Sequence, residues 1–257
     1  MKSTNTDDKQ SLRFSSFDKQ SFSANKLRTA GLKQNLRSSS KTAGLKIAQE
    51  VAAILLDIGA VIFRPRQPFR FDSGILSPVY VDNRLIISDP VSRERIIKNL
   101  VSLINKIGKF DTVAGTATAG IPHAAWIAQK LRLPMVYVRS QPKEHGTKNQ
   151  VEGSIKRGQE VLVVEDMVST AGSSARVVEA LRKLGAKVDH EVAIYTHDLK
   201  ESKENFKRMK IKPHFLTSLK TVTEIAQKRG YLKPDQVALI EKWAQDPKNW
   251  GRKMGFE

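Results

Sequence analysis

Apolar residues recur at helical spacing first at Leu45, Ala48, Ala52 and Leu55, with Val51 and Ile58 beside them, and Gly59 follows as a stop signal. From Val61 to Arg84 short extended pieces are broken by Pro65, Pro68, Gly74 and Pro78, which predicts a hairpin or hood rather than a regular sheet. Asp89-Pro90 marks the start of a helix over 92–107. Strands and helices then alternate: strand 112–115, helix 122–131, strand 135–139, strand 161–164, helix 174–184, strand 188–195. That order predicts a mainly parallel sheet with helices on both faces and ligands at the carboxyl ends of its strands. Residues 219–229 and 234–245 read as helices packed on this core. Residues 1–41 show no such rhythm, and the first forty hold twelve Ser or Thr, so they read as a disordered tail. The expected organisation is a tail (1–41) and one domain (42–257). Within it a hood spans about 60–90, a core about 91–200 and C-terminal helices about 201–257.

Composition narrows the class. A chain of 257 residues with 40% hydrophobic content can bury one sizeable core. Cysteine is absent, which excludes disulfides and thiolate metal sites and suits a reducing, cytoplasmic setting. No apolar run reaches the ~20 residues of a membrane span. The formal charge of +18 raises nucleic acid as a partner. Its distribution argues against that: residues 1–41 carry nine Lys or Arg against three Asp, and the remaining excess is spread along the chain. A transit peptide is opposed by Asp7, Asp8 and Asp18.

Three segments carry candidate chemistry. The apolar run Val161 to Val164 suits a strand buried on both faces. Glu165 and Asp166 follow it, and a small hydroxyl-rich turn, Ser169 to Ser174, opens a helix. Helix amides and hydroxyls there suit a phosphate monoester, and the acids suit sugar hydroxyls or a hydrated cation. The alternative is an ordinary capped turn with acids on a solvated rim. Gly115 to Gly120, also between strand and helix, is built of small residues that let a ligand approach the backbone. The third segment, 139–149, holds Arg139, Lys143 and His145, a fork, a point charge and a titratable donor for a diphosphate. Its alternative is a solvated surface loop.

Together with the stretch from Phe71 to Arg84, which includes Ser73-Gly74, Ser77-Pro78, Tyr80 and Asn83, and with Pro134 to Arg139, Lys143-Glu144-His145-Gly146 and Val151-Glu152-Gly153, these motifs resemble the orotate phosphoribosyltransferases, from about Ala48 onward. The resemblance implies a type I phosphoribosyltransferase fold: an α/β core with a mainly parallel sheet and a small hood. It implies transfer of the phosphoribosyl group of 5-phosphoribosyl 1-diphosphate to orotate, giving orotidine 5'-monophosphate and pyrophosphate in UMP synthesis. Lys143, His145 and Asp166 are the implied catalytic groups. Arg139, Lys143, His145, Glu165, Asp166, Met167, Val168, Ser169, Thr170, Ala171, Gly172 and Ser173 are the implied phosphoribosyl diphosphate site. Ser169, Ser73, Tyr80 and Arg84 are the implied orotate contacts. Mg²⁺ is the implied cofactor, held through substrate oxygens and water without direct protein ligands. A homodimer sharing loop 139–149 across its interface is implied as well. The chain departs from the family at Asp72, Ser140 and Ala171, and lacks an Arg near His197 and Asp198; Arg70 or Arg84 is the expected compensation. The competing readings are a catalytically inactive regulator on the same fold and a phosphoribosyltransferase for another nucleobase.

Overall fold

In the computed structural model, which describes residues 42–71, 74–141 and 150–256, helix α1 (residues 42–57) buries Val51, Ala52 and Leu55, as its apolar stripe requires. Gly59 ends it at φ 72°, and Ala60 N donates back to Leu55 O at 2.8 Å. The hood is a nested antiparallel hairpin. Strand β1 (Val61–Phe63) pairs with β4 (Val79–Val81), and inside them β2 (Phe69–Arg70) pairs with β3 (Leu76–Ser77). A short helix α2 (Leu85–Ser88) leads to α3 (Pro90–Ile107). The start signal of α3 operates as expected: Asp89 Oδ1 accepts from Ser92 N at 2.9 Å, and proline stands at the first helical position.

The chain then runs β5 (Thr112–Thr116), α4 (Gly120–Leu131), β6 (Met135–Val138), β7 (Val151–Glu152), β8 (Glu160–Val168), α5 (Gly172–Lys183), β9 (Lys187–Thr196), α6 (Lys200–Met209), β10 (Lys212–Ser218), α7 (Leu219–Lys228), α8 (Pro234–Gln245) and α9 (Pro247–Lys253). Six strands form one sheet in the order β10-β9-β8-β5-β6-β7, parallel throughout except for β6 against β7. Alternate residues of the central strands feed two cores: Val113, Leu162 and Val164 on one face, Ala114, Val161 and Val163 on the other. From β5 the chain moves outward through β6 and β7, then returns to the other side of β5 and moves outward again through β8, β9 and β10. The reversal leaves a crevice at the carboxyl ends of β5 and β8.

Two expectations need correction. Strand β8 does not stop at Val164 but runs to Val168, because β9 extends to Thr196 and pairs with it there (Glu165↔Ala193, Met167↔Tyr195). The acids therefore lie within a strand and are buried, not on a rim. The C-terminal part is not all helical either: Lys212–Ser218 is the edge strand β10, parallel to β9. Its Pro213 is tolerated because an edge strand leaves one side of its backbone unpaired, and Lys212, Pro213 and His214 hide its alternation. Helix α6 was unexpected for a related reason: it is so polar that Ser202 and Phe206 are its buried residues. The site described below lies within the compact unit Lys46–Glu257. The expected tail, 1–41, lies outside the described residues.

At the crevice α4 meets β8 at van der Waals limit. A Cβ on Gly120 would stand 2.6 Å from Val164 O and 3.4 Å from Glu165 Cα, both backbone atoms. Gly120→Ala should therefore push α4 off the sheet and cost about 2 kcal/mol of stability, read from the denaturant midpoint, with activity falling alongside. An unchanged midpoint would show slack in this contact.

Candidate active site

The apolar run that makes β8 a buried strand also carries Glu165 and Asp166 below the surface, at 5% and 9% exposure. Glu165 Oε2 accepts from Asp166 N at 3.1 Å, and Oε1 accepts from Ser173 Oγ at 2.9 Å. Burial pushes both carboxyls above their ordinary range. Glu165 is raised further by the charges of Asp166 and Glu191, while a hydrogen bond from Glu165 offsets part of the rise at Asp166. Both carboxyls are thus held toward the protonated form, with burial as the main cause. Asn83, from the hood, donates to Asp166 O at 2.8 Å and locks this part of β8 in place.

Beyond Val168 the turn Ser169–Ala171 leads into α5. Ala171 adopts φ 62°, a left-handed conformation that a glycine reaches without strain. The first helical bond runs from Ala175 N to Ala171 O, so the amides of Gly172, Ser173 and Ser174 precede the ladder and gather at the positive end of the helix. The turn is held from behind: His197 N donates to Val168 O at 3.0 Å, and Asn205 Nδ2 to Thr170 O at 2.7 Å. Met167 is half-buried and Val168 buried. Across the crevice, the loop after β5 contains a cis Ala117–Thr118 peptide bond, and Thr116 Oγ1 is buried with no partner among the described residues.

Arg139 follows β6 on the same edge of the sheet. Its amide donates to Gln150 O at 2.9 Å, and its guanidinium lies 3.7 Å from Glu152. Lys143, His145, Ser73 and the departure at Asp72 lie outside the described residues. Ser140 is exposed. Tyr80, 36% exposed, packs at 5.5 Å against Phe69. Arg84 is held by Asp82 through two hydrogen bonds of 2.6 and 2.8 Å, and it also feels the charge of Asp166.

A cavity of about 570 Å³ opens beside Ser169 and Thr170. The hood contributes Phe71 and Ile75 to its wall, and α8 contributes Trp243. Its cations are Lys200 and Lys248, which lie 3.8 Å from Glu204 and 3.1 Å from Glu201, and Asp246 is a further acid of the wall. Neither Arg70 nor Arg84 lines it. Sequence reasoning missed these lining residues, along with Asn83, Asn205 and Glu191. Asn83 lies inside a motif that was noticed, whereas Lys200 and Lys248 carry no local signal among so many lysines.

The comparisons with known proteins agree with this geometry. Residues 86–231 match the phosphoribosyl transferase domain family. An orotate phosphoribosyltransferase of Listeria monocytogenes serotype 4b is 46% identical over 209 residues, 81% of this chain and 100% of that protein. One from Coxiella burnetii is 47% identical over 204 residues, 79% of this chain and 98% of that protein. The crystal structure of orotate phosphoribosyltransferase from Aeropyrum pernix superposes with a TM-score of 0.62 at 33% identity, covering 71% of this chain and 99% of that one. A buried acid pair, a helix terminus with free amides beside it and relatives matched over nearly their whole length converge: the chain belongs to the orotate phosphoribosyltransferases, within the phosphoribosyl transferase domain family.

Proposed function

We propose that the crevice between β5 and β8 binds 5-phosphoribosyl 1-diphosphate and that the 570 Å³ cavity beside it receives orotate. The observation that carries this reading is the buried Glu165–Asp166 pair set directly ahead of the amide end of α5 at the sheet's reversal point. Amides 172–174 and the hydroxyls of Ser169, Thr170 and Ser173 take the 5'-phosphate. Asp166 accepts from ribose hydroxyls, and Glu165 keeps Ser173 and the Asp166 amide in place through the bonds its two oxygens accept. Arg139, with Lys143 and His145 of the following segment, receives the diphosphate. Bond cleavage at ribose C1 leaves positive character on the sugar and negative charge on the diphosphate, so the cations lower the barrier where charge develops. Orotate N1 attacks C1 from the side of the cavity, and its carboxylate meets Lys200 and Lys248. Ser169 stands between cavity and turn and can reach either ligand. On the hood side Ser73 and Tyr80 complete the base site, and Arg84, in the field of Asp166, stands toward the sugar.

The donor set fits Mg²⁺. The buried Asp166 carboxyl, just ahead of the turn into α5, offers hard oxygens. Such a set suits a cation held mainly by substrate oxygens, with a water of its shell on Asp166. When bound, Mg²⁺ supplies charge neutralisation on the diphosphate. A homodimer sharing residues 139–149 across its interface is part of the reading. Its support is Ile62 of β1, an apolar side chain left 44% exposed on the hood. No described helix is long and apolar enough to cross a membrane. With cysteine absent, a cytoplasmic location is the consistent assignment.

The direct test mixes the protein with orotate, 5-phosphoribosyl 1-diphosphate and Mg²⁺ and follows loss of orotate absorbance; no change would reject the reading. In that assay Lys143→Ala should lower kcat by more than about tenfold with the fold intact, because the lost charge acts most strongly on the transition state. Replacing Lys200 and Lys248 together with Ala should raise KM for orotate by about fivefold or more and leave KM for the diphosphate substrate within about twofold. Equal effects on both substrates would place the base elsewhere.

A further inference from the structure

Beneath the turn lies an acid that the mechanism leaves unused. Glu191 sits on β9 opposite Val163 of β8, is 0% exposed, and shares its strand face with buried Ala193 and Tyr195. Its Oε1 accepts from Ser174 Oγ at 2.8 Å, and its Oε2 has no partner among the described residues. On the neighbouring strand Glu165 binds Ser173 in the same way. Two carboxyls on adjacent strands thus hold consecutive serines of the first turn of α5, whose amides precede the helical ladder. A half-satisfied buried carboxyl is costly, and an apolar side chain in its place would stabilise the sheet better. Packing therefore gives no reason for Glu191. Its position under the anion-binding end of the helix does.

We propose that Glu191 is a positioning residue for phosphate capture: as a neutral acid it fixes Ser174 and the amide end of α5, and once ionised it competes with the 5'-phosphate for that end. The proposal rests on the assignment of this turn to phosphate made above. Burial holds the Glu191 carboxyl up at about 8, with the Ser174 hydrogen bond partly opposing the rise. Glu165 from β8 is the ionisable group coupled to it, Ser174 faces it from α5, and β10 places Pro213 opposite it. Neutral near pH 7, Glu191 takes on charge just above, where the helix end would otherwise be reserved for the phosphate dianion. The sign for the unliganded protein follows as well. A carboxyl raised from 4.5 to about 8 favours the folded state below 4.5, and that contribution is lost as pH climbs toward 8.

The test measures affinity for ribose 5-phosphate by calorimetry, and KM for 5-phosphoribosyl 1-diphosphate, at about pH 7 and about pH 9, on the full chain and on Glu191→Gln and Ser174→Ala. For the unaltered protein, affinity should weaken by about fivefold or more between the two pH values, with the effect in KM rather than kcat. Glu191→Gln, isosteric with the neutral acid, should abolish that pH dependence, and Ser174→Ala should weaken binding at both values. A purely structural Glu191 would change melting temperature without changing the pH profile of ligand affinity. The idea fails if Glu191→Gln keeps the alkaline loss, or if Ser174→Ala binds as tightly as the unaltered chain. Should Glu191→Gln not fold, a flat profile in the unaltered protein would be equally fatal. No binding of ribose 5-phosphate at all would instead sink the phosphate assignment itself.

Discussion

Burying two adjacent carboxyls in a central strand is the constraint around which the catalytic edge of this protein is organised. Neither acid can sit there unsatisfied, because a buried polar group without partners costs on the order of 2 kcal/mol or more, and a charge far more. Glu165 is satisfied by Ser173 of α5 and by the Asp166 amide of β8, and the Asp166 carboxyl by backbone amides, that of Met167 among them. Asn83 of the hood holds the Asp166 backbone carbonyl, so strand, helix and hood meet at this pair.

The same economy of space shapes the other side of the crevice. Gly120 lets the start of α4 lie directly against the backbone of β8, so the two strand-to-helix turns face one another with no side chain between them. Farther out, the cavity wall is assembled from segments distant in the chain. Trp243 of α8 donates through Nε1 to Leu76 O of the hood at 3.0 Å, and it meets the ring of His197 edge-on at 5.1 Å. His197 also donates through its amide to Val168 O, so the cavity and the phosphate turn share one buried support. Burial holds the His197 ring neutral, down to about 3, in keeping with a role in packing.

The sheet shows how unevenly fold information is written in a chain. Helix α3 was legible to within two residues because Asp89 and Pro90 are local devices: one caps amides, the other is pre-set for a first helical turn. The runs forming β5, β6, β8 and β9 were legible because a strand buried on both faces must be apolar. Strand β10 and helix α6 were not, since an edge strand and a surface helix are paid for by tertiary contact and need little internal pattern. The far end of β8 was hidden for the same reason: Glu165 to Val168 are extended because β9 lies alongside.

What the amino-acid sequence determined by itself is the chemistry and its order: a buried strand, two acids, a small hydroxyl-rich turn, and a cationic segment ahead of them, all recognisable because each depends on neighbouring residues. What only the tertiary structure decided is which groups share a charge environment. That burial and the charge of Glu191 push Glu165 up, that Glu191 stands under Ser174, and that Lys200 and Lys248 reach one cavity all depend on distances between elements. Those distances are set by sheet register and helix packing, which no local stretch of residues encodes.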